Sequence, residues 1–92
     1  MIELQVQQEI EENATLLKII AHPTRLQIIS ILLMDQNPNV NDIVIQLKIP
    51  QSTVSQHLAK MKGIVVGCDK KGLEVYYYIN NPKIAQLYEI LT

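Results

Sequence analysis

The sequence predicts a mostly α fold carrying one β-hairpin (α+β), and three observations predict it. Apolar residues recur at helical spacing as far as Met61. Beyond Gly63 the period drops to two, as in a half-buried strand. Between them, Gln51-Ser-Thr-Val-Ser-Gln-His-Leu-Ala-Lys-Met61 sets Val54, Leu58 and Met61 at i, i+4 and i+7, with no carboxylate in the stretch. The 92 residues, 48% of them apolar, make one small domain, 1–92, helped by a partner that buries more surface.

Residues 3–20 read as a first helix. Leu4, Ile10, Leu17 and Ile20 keep helical spacing, and Glu3, Glu9, Glu11 and Glu12 suit the positive end of the helix dipole. Asn13 is an alternative N-cap, which would leave residues 1–12 as a separate arm. Ala21-His22-Pro23 closes the helix, because a residue before proline avoids the α region. Thr24 and Arg25 open a second helix. Its run from Leu26 to Met34 is apolar almost all round, as a central buried helix requires. Asp35–Asn39 is a turn by composition, and Val40 adds a short strand segment. Asn41 is expected to cap a brief third helix, Asp42 to Leu47, with Ile43, Val44 and Leu47 inward.

Only Lys48 to Pro50 separate that helix from Gln51–Met61. Pro50 suits a helix start and Gly63 a helix end. A short helix, a tight turn and a second helix form a helix-turn-helix over 41–61. Taken alone, Gln51–Met61 also fits an ordinary amphipathic surface helix. The hairpin that follows decides between the two. Ile64–Cys68 is one strand, Asp69–Gly72 the turn, and Leu73, Val75, Tyr77 and Ile79 the buried face of the other. A hairpin at 64–79 directly after such a helix is a wing, with Lys70 and Lys71 expected at its tip. Pro82 opens a last helix with Ile84, Leu87, Tyr88 and Leu91 on one stripe. The whole is a winged helix-turn-helix.

Charge is distributed to match. The net charge is −1, yet from Lys48 to Lys71 five lysines face Asp69 alone. A solvated lysine face is the plain alternative; beside the acid-free helix, a phosphate-facing surface is the better account. Gln51, Ser52, Ser55, Gln56 and Lys60, with Lys70 and Lys71, are the expected contacts to double-stranded DNA. The first and last helices, 1–20 and 82–92, carry more apolar residues than one small core needs. Ile10, Leu17, Ile84, Leu87, Tyr88 and Leu91 are therefore the expected interface of a homodimer.

Ala21-His-Pro-Thr-Arg-Leu26, Gln51-Ser-Thr-Val-Ser-Gln-His-Leu58 and Gly72-Leu-Glu-Val-Tyr-Tyr-Tyr-Ile79 resemble the signature stretches of the ArsR/SmtB family of bacterial repressors. The resemblance spans about residues 14 to 83 and extends to the family's PagR-type branch, in which the recognition helix also runs almost directly into the wing. It implies a dimeric repressor that binds an imperfect inverted repeat at a promoter. It also matches Ser52, Thr53, Ser55, Gln56 and His57 to the family's DNA-reading segment. Arg25 matches a family arginine, with a structural or a phosphate-contacting role. Most of the family has about two more residues before the wing glycine; here only Lys62 stands between Met61 and Gly63.

Many relatives in that family sense metals. The third helix here has no cysteine, and the last has only Glu89 as a possible ligand. His22 and His57 have no evident partner in sequence, so no metal and no cofactor is expected. The single cysteine, Cys68, fits a small apolar residue at a strand end, and a thiol switch is the alternative. No glycine-rich phosphate loop or nucleophile elbow supports an enzyme. A protein-interaction module built on the winged helix is the other alternative. Met1-Ile2-Glu3 is unlike a signal peptide and no apolar run is long enough for a bilayer, so a cytoplasmic protein is expected.

Overall fold

The computed structural model describes residues 2–92. The elements run α1 (Leu4–Ile20), α2 (Pro23–Met34), α3 (Val40–Leu47), α4 (Gln51–Met61), β1 (Val66–Lys71), β2 (Glu74–Ile79) and α5 (Pro82–Leu91). This is the winged helix-turn-helix order the sequence predicts. The expected bound of the first helix at residue 1 lies outside the described residues.

α1 is continuous from Leu4, so the alternative break at Asn13 does not occur. Its first turn holds no acid: Glu3 is the N-cap, and Glu9, Glu11 and Glu12 lie too far along to feel the dipole strongly. α1 and α2 meet at 98° around Ala21-His22. His22 explains why α2 starts one residue earlier than expected. It is the N-cap, its Nδ1 accepts from the Thr24 N–H at 3.2 Å, and Pro23 occupies the first helical turn.

The third helix also starts earlier than expected, and for a comparable reason. Asn39, not Asn41, is the N-cap, and Val40 is helical rather than a strand residue. Asn39 Oδ1 accepts from the Asp42 N–H at 2.8 Å, while Asp42 Oδ2 accepts from the Asn39 N–H at 3.0 Å. This reciprocal pair satisfies two donors at once, which an Asn41 cap would not. The short strand segment exists one residue upstream, as a bridge between Asn39 and Tyr76. The Tyr77 N–H donates to the Pro38 carbonyl at 2.9 Å beside it.

α4 ends at Met61, but Gly63 is not its cap. Lys62 is, in an extended conformation, and it forms a parallel bridge with Val66. Gly63 takes φ +86°, which lets its N–H donate to the Val66 carbonyl at 2.9 Å. Ile64 and Val65 are thus consumed in a turn, and β1 begins two residues later than expected. β1 and β2 pair antiparallel from Val66↔Ile79 to Lys71↔Glu74. The turn is therefore Gly72-Leu73, not Asp69–Gly72. Gly72 at φ +65° supplies the positive φ that a tight hairpin needs at its first position.

The core gathers Leu16 and Ile20 of α1, Ile28, Ile29, Ile31 and Leu32 of α2, and Ile43 of α3. Val54, Leu58 and Met61 of α4 join them, with Val65, Val66 and Ile84. No polar or charged residue among those described is buried. Val75, Tyr77 and Ile79 are half-buried as the alternation predicts, but Tyr76 between them is half-buried too; Leu73 is not on that face, because it belongs to the turn and is wholly exposed. No single helix among the described residues is long and apolar enough to cross a membrane.

Candidate nucleic-acid interface

α4 presents two unlike faces. Val54, Leu58 and Met61 are at most 1% exposed and fix the helix against the core. Gln51, Ser52, Ser55, Gln56 and Lys60 are exposed on the other side, and Thr53 and His57 are half-buried at the flanks. The turn before α4 is held by hydrogen bonds at both ends. Lys48 takes the left-handed conformation at φ +57° as the C-cap of α3, its N–H donating to the Val44 carbonyl at 2.8 Å. Pro50 is the N-cap of α4, and its carbonyl accepts from the Thr53 and Val54 N–H groups. With no acid in its first turn, α4 offers free N–H groups and the positive end of its dipole.

His57 has a role the sequence did not reveal. Its Nδ1 accepts from Arg25 Nε at 3.2 Å, and Arg25 also donates through Nη1 to the Ile19 carbonyl at 2.8 Å. Arg25 thus ties the end of α1 to the flank of α4, a structural role. The His22 ring lies 4.5 Å from the His57 ring. The sequence left the two histidines without partners; the right-angled corner at Ala21-His22 brings them together. Burial first, then His22 and Arg25, hold the His57 imidazole below its ordinary pKa of 6.5. With Nδ1 accepting from Arg25, Nε2 is left as the donor of the neutral ring. No signal local to either residue predicts this cluster, because Arg25 and His57 are 32 positions apart.

Lys70 and Lys71 are not at the hairpin tip. Both are in β1, exposed, paired with Val75 and Glu74. Lys71 Nζ lies 5.9 Å from the centre of the Tyr76 ring. The Glu74 carboxylate accepts from Asn39 Nδ2 at 2.9 Å, which draws it back toward α3. Cys68 is half-buried opposite Tyr77. Among the described residues, no three His, Cys, Asp or Glu side chains cluster closely enough to hold a metal ion.

The residues expected at a dimer interface divide. Ile10, Leu17 and Leu91 are 50%, 50% and 64% exposed. Leu87 and Tyr88 are half-buried, and the Tyr88 hydroxyl hydrogen-bonds Ser30 Oγ at 2.7 Å. Ile84 is 1% exposed and packs inside its own chain, so it is a core residue rather than an interface residue. Val6 and Ile90 are exposed apolar residues of the same two helices, and Leu4 is exposed as well. Periodicity assigns a face to a helix but does not say which layer that face meets.

Comparison with known proteins places this geometry. Residues 22–64 match the model of the bacterial regulatory protein, arsR family. The chain is 50% identical over 82 residues to the transcriptional repressor PagR of Bacillus anthracis, covering 89% of this chain and 83% of that one. The PagR crystal structure superposes with a TM-score of 0.89 at 48% identity, over 94% of this chain and 99% of that one. The transcriptional activator HlyU of Vibrio cholerae is 34% identical over 89 residues, covering 91% of this chain and 82% of that one. A homodimeric winged helix-turn-helix domain from Mycobacterium bovis shares the fold, with a TM-score of 0.84 at 23% identity over 98% of this chain and 83% of that one.

Proposed function

The chain belongs to the ArsR family of bacterial regulatory proteins, and from that premise we propose that it is a homodimeric repressor reading an imperfect inverted repeat at promoters. It is a DNA-binding transcriptional regulator, not an enzyme. The observation that carries the reading is the acid-free outer face of α4, set over an inner face that is fully buried. Gln51, Ser52, Thr53, Ser55, Gln56 and Lys60 line the side offered to a major groove, where amides pair with adenine and hydroxyls and cations take phosphate. His57 contributes by orientation and through Nε2. Repression is preferred to activation because the repressor PagR is the more similar of the two named regulators. The chain acts in the cytoplasm, on the chromosome, without a sensed metal.

A footprint on the DNA flanking its own gene tests this, with Gln56→Ala alongside. Protection over an inverted repeat, unchanged by zinc or a chelator, is expected. Gln56→Ala should lose about 1–3 kcal/mol on that site and much less on random DNA. Protection lacking any symmetry, or equal losses on both DNAs, would contradict the assignment.

A further inference from the structure

We propose that Leu73 is an apolar wedge that enters the DNA minor groove beside the site of α4 and selects base steps that unstack easily. The proposal rests on the DNA-binding reading and adds a specificity residue to it. Leu73 is 101% exposed, the most exposed large apolar side chain among the described residues. It makes up the hairpin tip with Gly72, so nothing in the fold uses its side chain.

The surroundings of Leu73 select the partner. Directly paired residues share a face of the ribbon, so Lys70 lies on the side of Val75 and Lys71 on the side of Glu74. The two lysines therefore flank the ribbon on opposite faces just behind the tip, with Lys71 Nζ 5.9 Å from the centre of the Tyr76 ring. A two-residue turn joins strands about 4.8 Å apart, the narrowest end a β-ribbon can offer. B-DNA's minor groove is about 6 Å wide and walled by phosphates on both sides. A leucine entering the groove, with one lysine toward each wall, fits that shape and charge; a protein surface offers no such pair of anionic walls. The acids nearby do not oppose it. Glu74 is held by Asn39 Nδ2, and Asp69 sits two residues behind Lys71, about 7 Å further from the tip. α4 is too wide for a minor groove, so with α4 in the major groove the adjoining hairpin meets the next minor one. Leucine is among the side chains that part base steps there, and pyrimidine–purine steps part at least cost.

The test uses duplexes selected by the full-length chain from a randomised pool, with bending read by energy transfer between end labels. The wild type should select TA or CA steps flanking the α4 consensus and should bend the duplex. Leu73→Ala should keep the consensus, lose the step preference and the bend, and bind the selected duplex about tenfold more weakly, the size of one lost base-pair preference. Leu73→Met should retain all three. Leu73→Ala with an unchanged bend and step preference overturns the wedge while leaving DNA binding intact. A wild-type chain that enriches no sequence at all overturns the DNA reading itself, and the wedge with it.

Discussion

Two side chains at the flank of α4, Arg25 and His57, do what its outer face cannot. Arg25 Nε and Nη1 hold His57 and the Ile19 carbonyl together, so the rotation of α4 about its axis is referenced to the end of α1. The arrangement requires a neutral His57. Protonating its Nδ1 would set a cation against Arg25 and beside His22. Above pH 6.5 the folded and unfolded chains both carry neutral His57, and its contribution to stability is complete. Below that value the unfolded chain takes a proton that the folded one resists, so stability falls as the pH drops toward the depressed pKa. Urea midpoints measured from about pH 7 to 5.5, above the carboxylate range, should decline. His57→Gln, which keeps an acceptor for Arg25 but does not titrate, should flatten that decline. Matching profiles for both proteins would remove His57 from the account.

Among the elements, α3 is the joint between reader and wing. Asn39 closes its capping box, bridges to Tyr76 and donates to Glu74, all from one residue. Asn39→Ala should cost about 0.5–2 kcal/mol in chemical denaturation. Asn39→Asp keeps the cap acceptor but loses the donor to Glu74 and faces a like charge. It should fold almost as well, with faster amide exchange in β2. Equal exchange rates in the two proteins would show that the bond to Glu74 does not secure the hairpin. These same residues mark where the sequence stopped being legible. The order of elements and the whole of α4 and α5 could be read, because Val54, Leu58 and Met61 or Ile84 and Leu87 state a period without ambiguity. The ends could not. Asn39 and Asn41 are equally good caps in isolation, and only Asp42, three residues after Asn39, separates them. The hairpin turn was misplaced because Asp69-Lys-Lys-Gly72 has turn composition, whereas register is set by pairing across the ribbon and places Lys71 opposite Glu74. Contacts distant in sequence, such as Arg25 to His57, leave no periodic trace at all.

For the molecule as a whole, the exposed apolar residues of α1 and α5 are the unfinished surface. Leu17→Asp with Leu91→Asp should leave helicity intact and shift sedimentation from dimer to monomer, since both side chains are at least half exposed in the single chain. Ile84→Ala should cost about 2–5 kcal/mol of stability, as a buried deletion does. A doubly substituted chain that still sediments as a dimer would move the interface elsewhere. In the proposed dimer the two α4 helices should engage major grooves about 34 Å apart. Within the chain, α4 and the hairpin are bonded closely to one another. Lys62 bridges to Val66, Gly63 N–H donates to the Val66 carbonyl, and Val65 is fully buried with its carbonyl accepting from Asn80 N–H at 3.0 Å. With α4 and the hairpin in neighbouring grooves as proposed, such a body would work as a caliper whose two jaws keep a set separation. Overwinding or underwinding the double helix carries one groove away from its jaw. Affinity for the same site in DNA minicircles should therefore peak at one linking number and fall on either side, and two glycines inserted after Gly63 should broaden that peak. On that proposed footing, the torsional state of the DNA would set the affinity of the chain with no ligand bound.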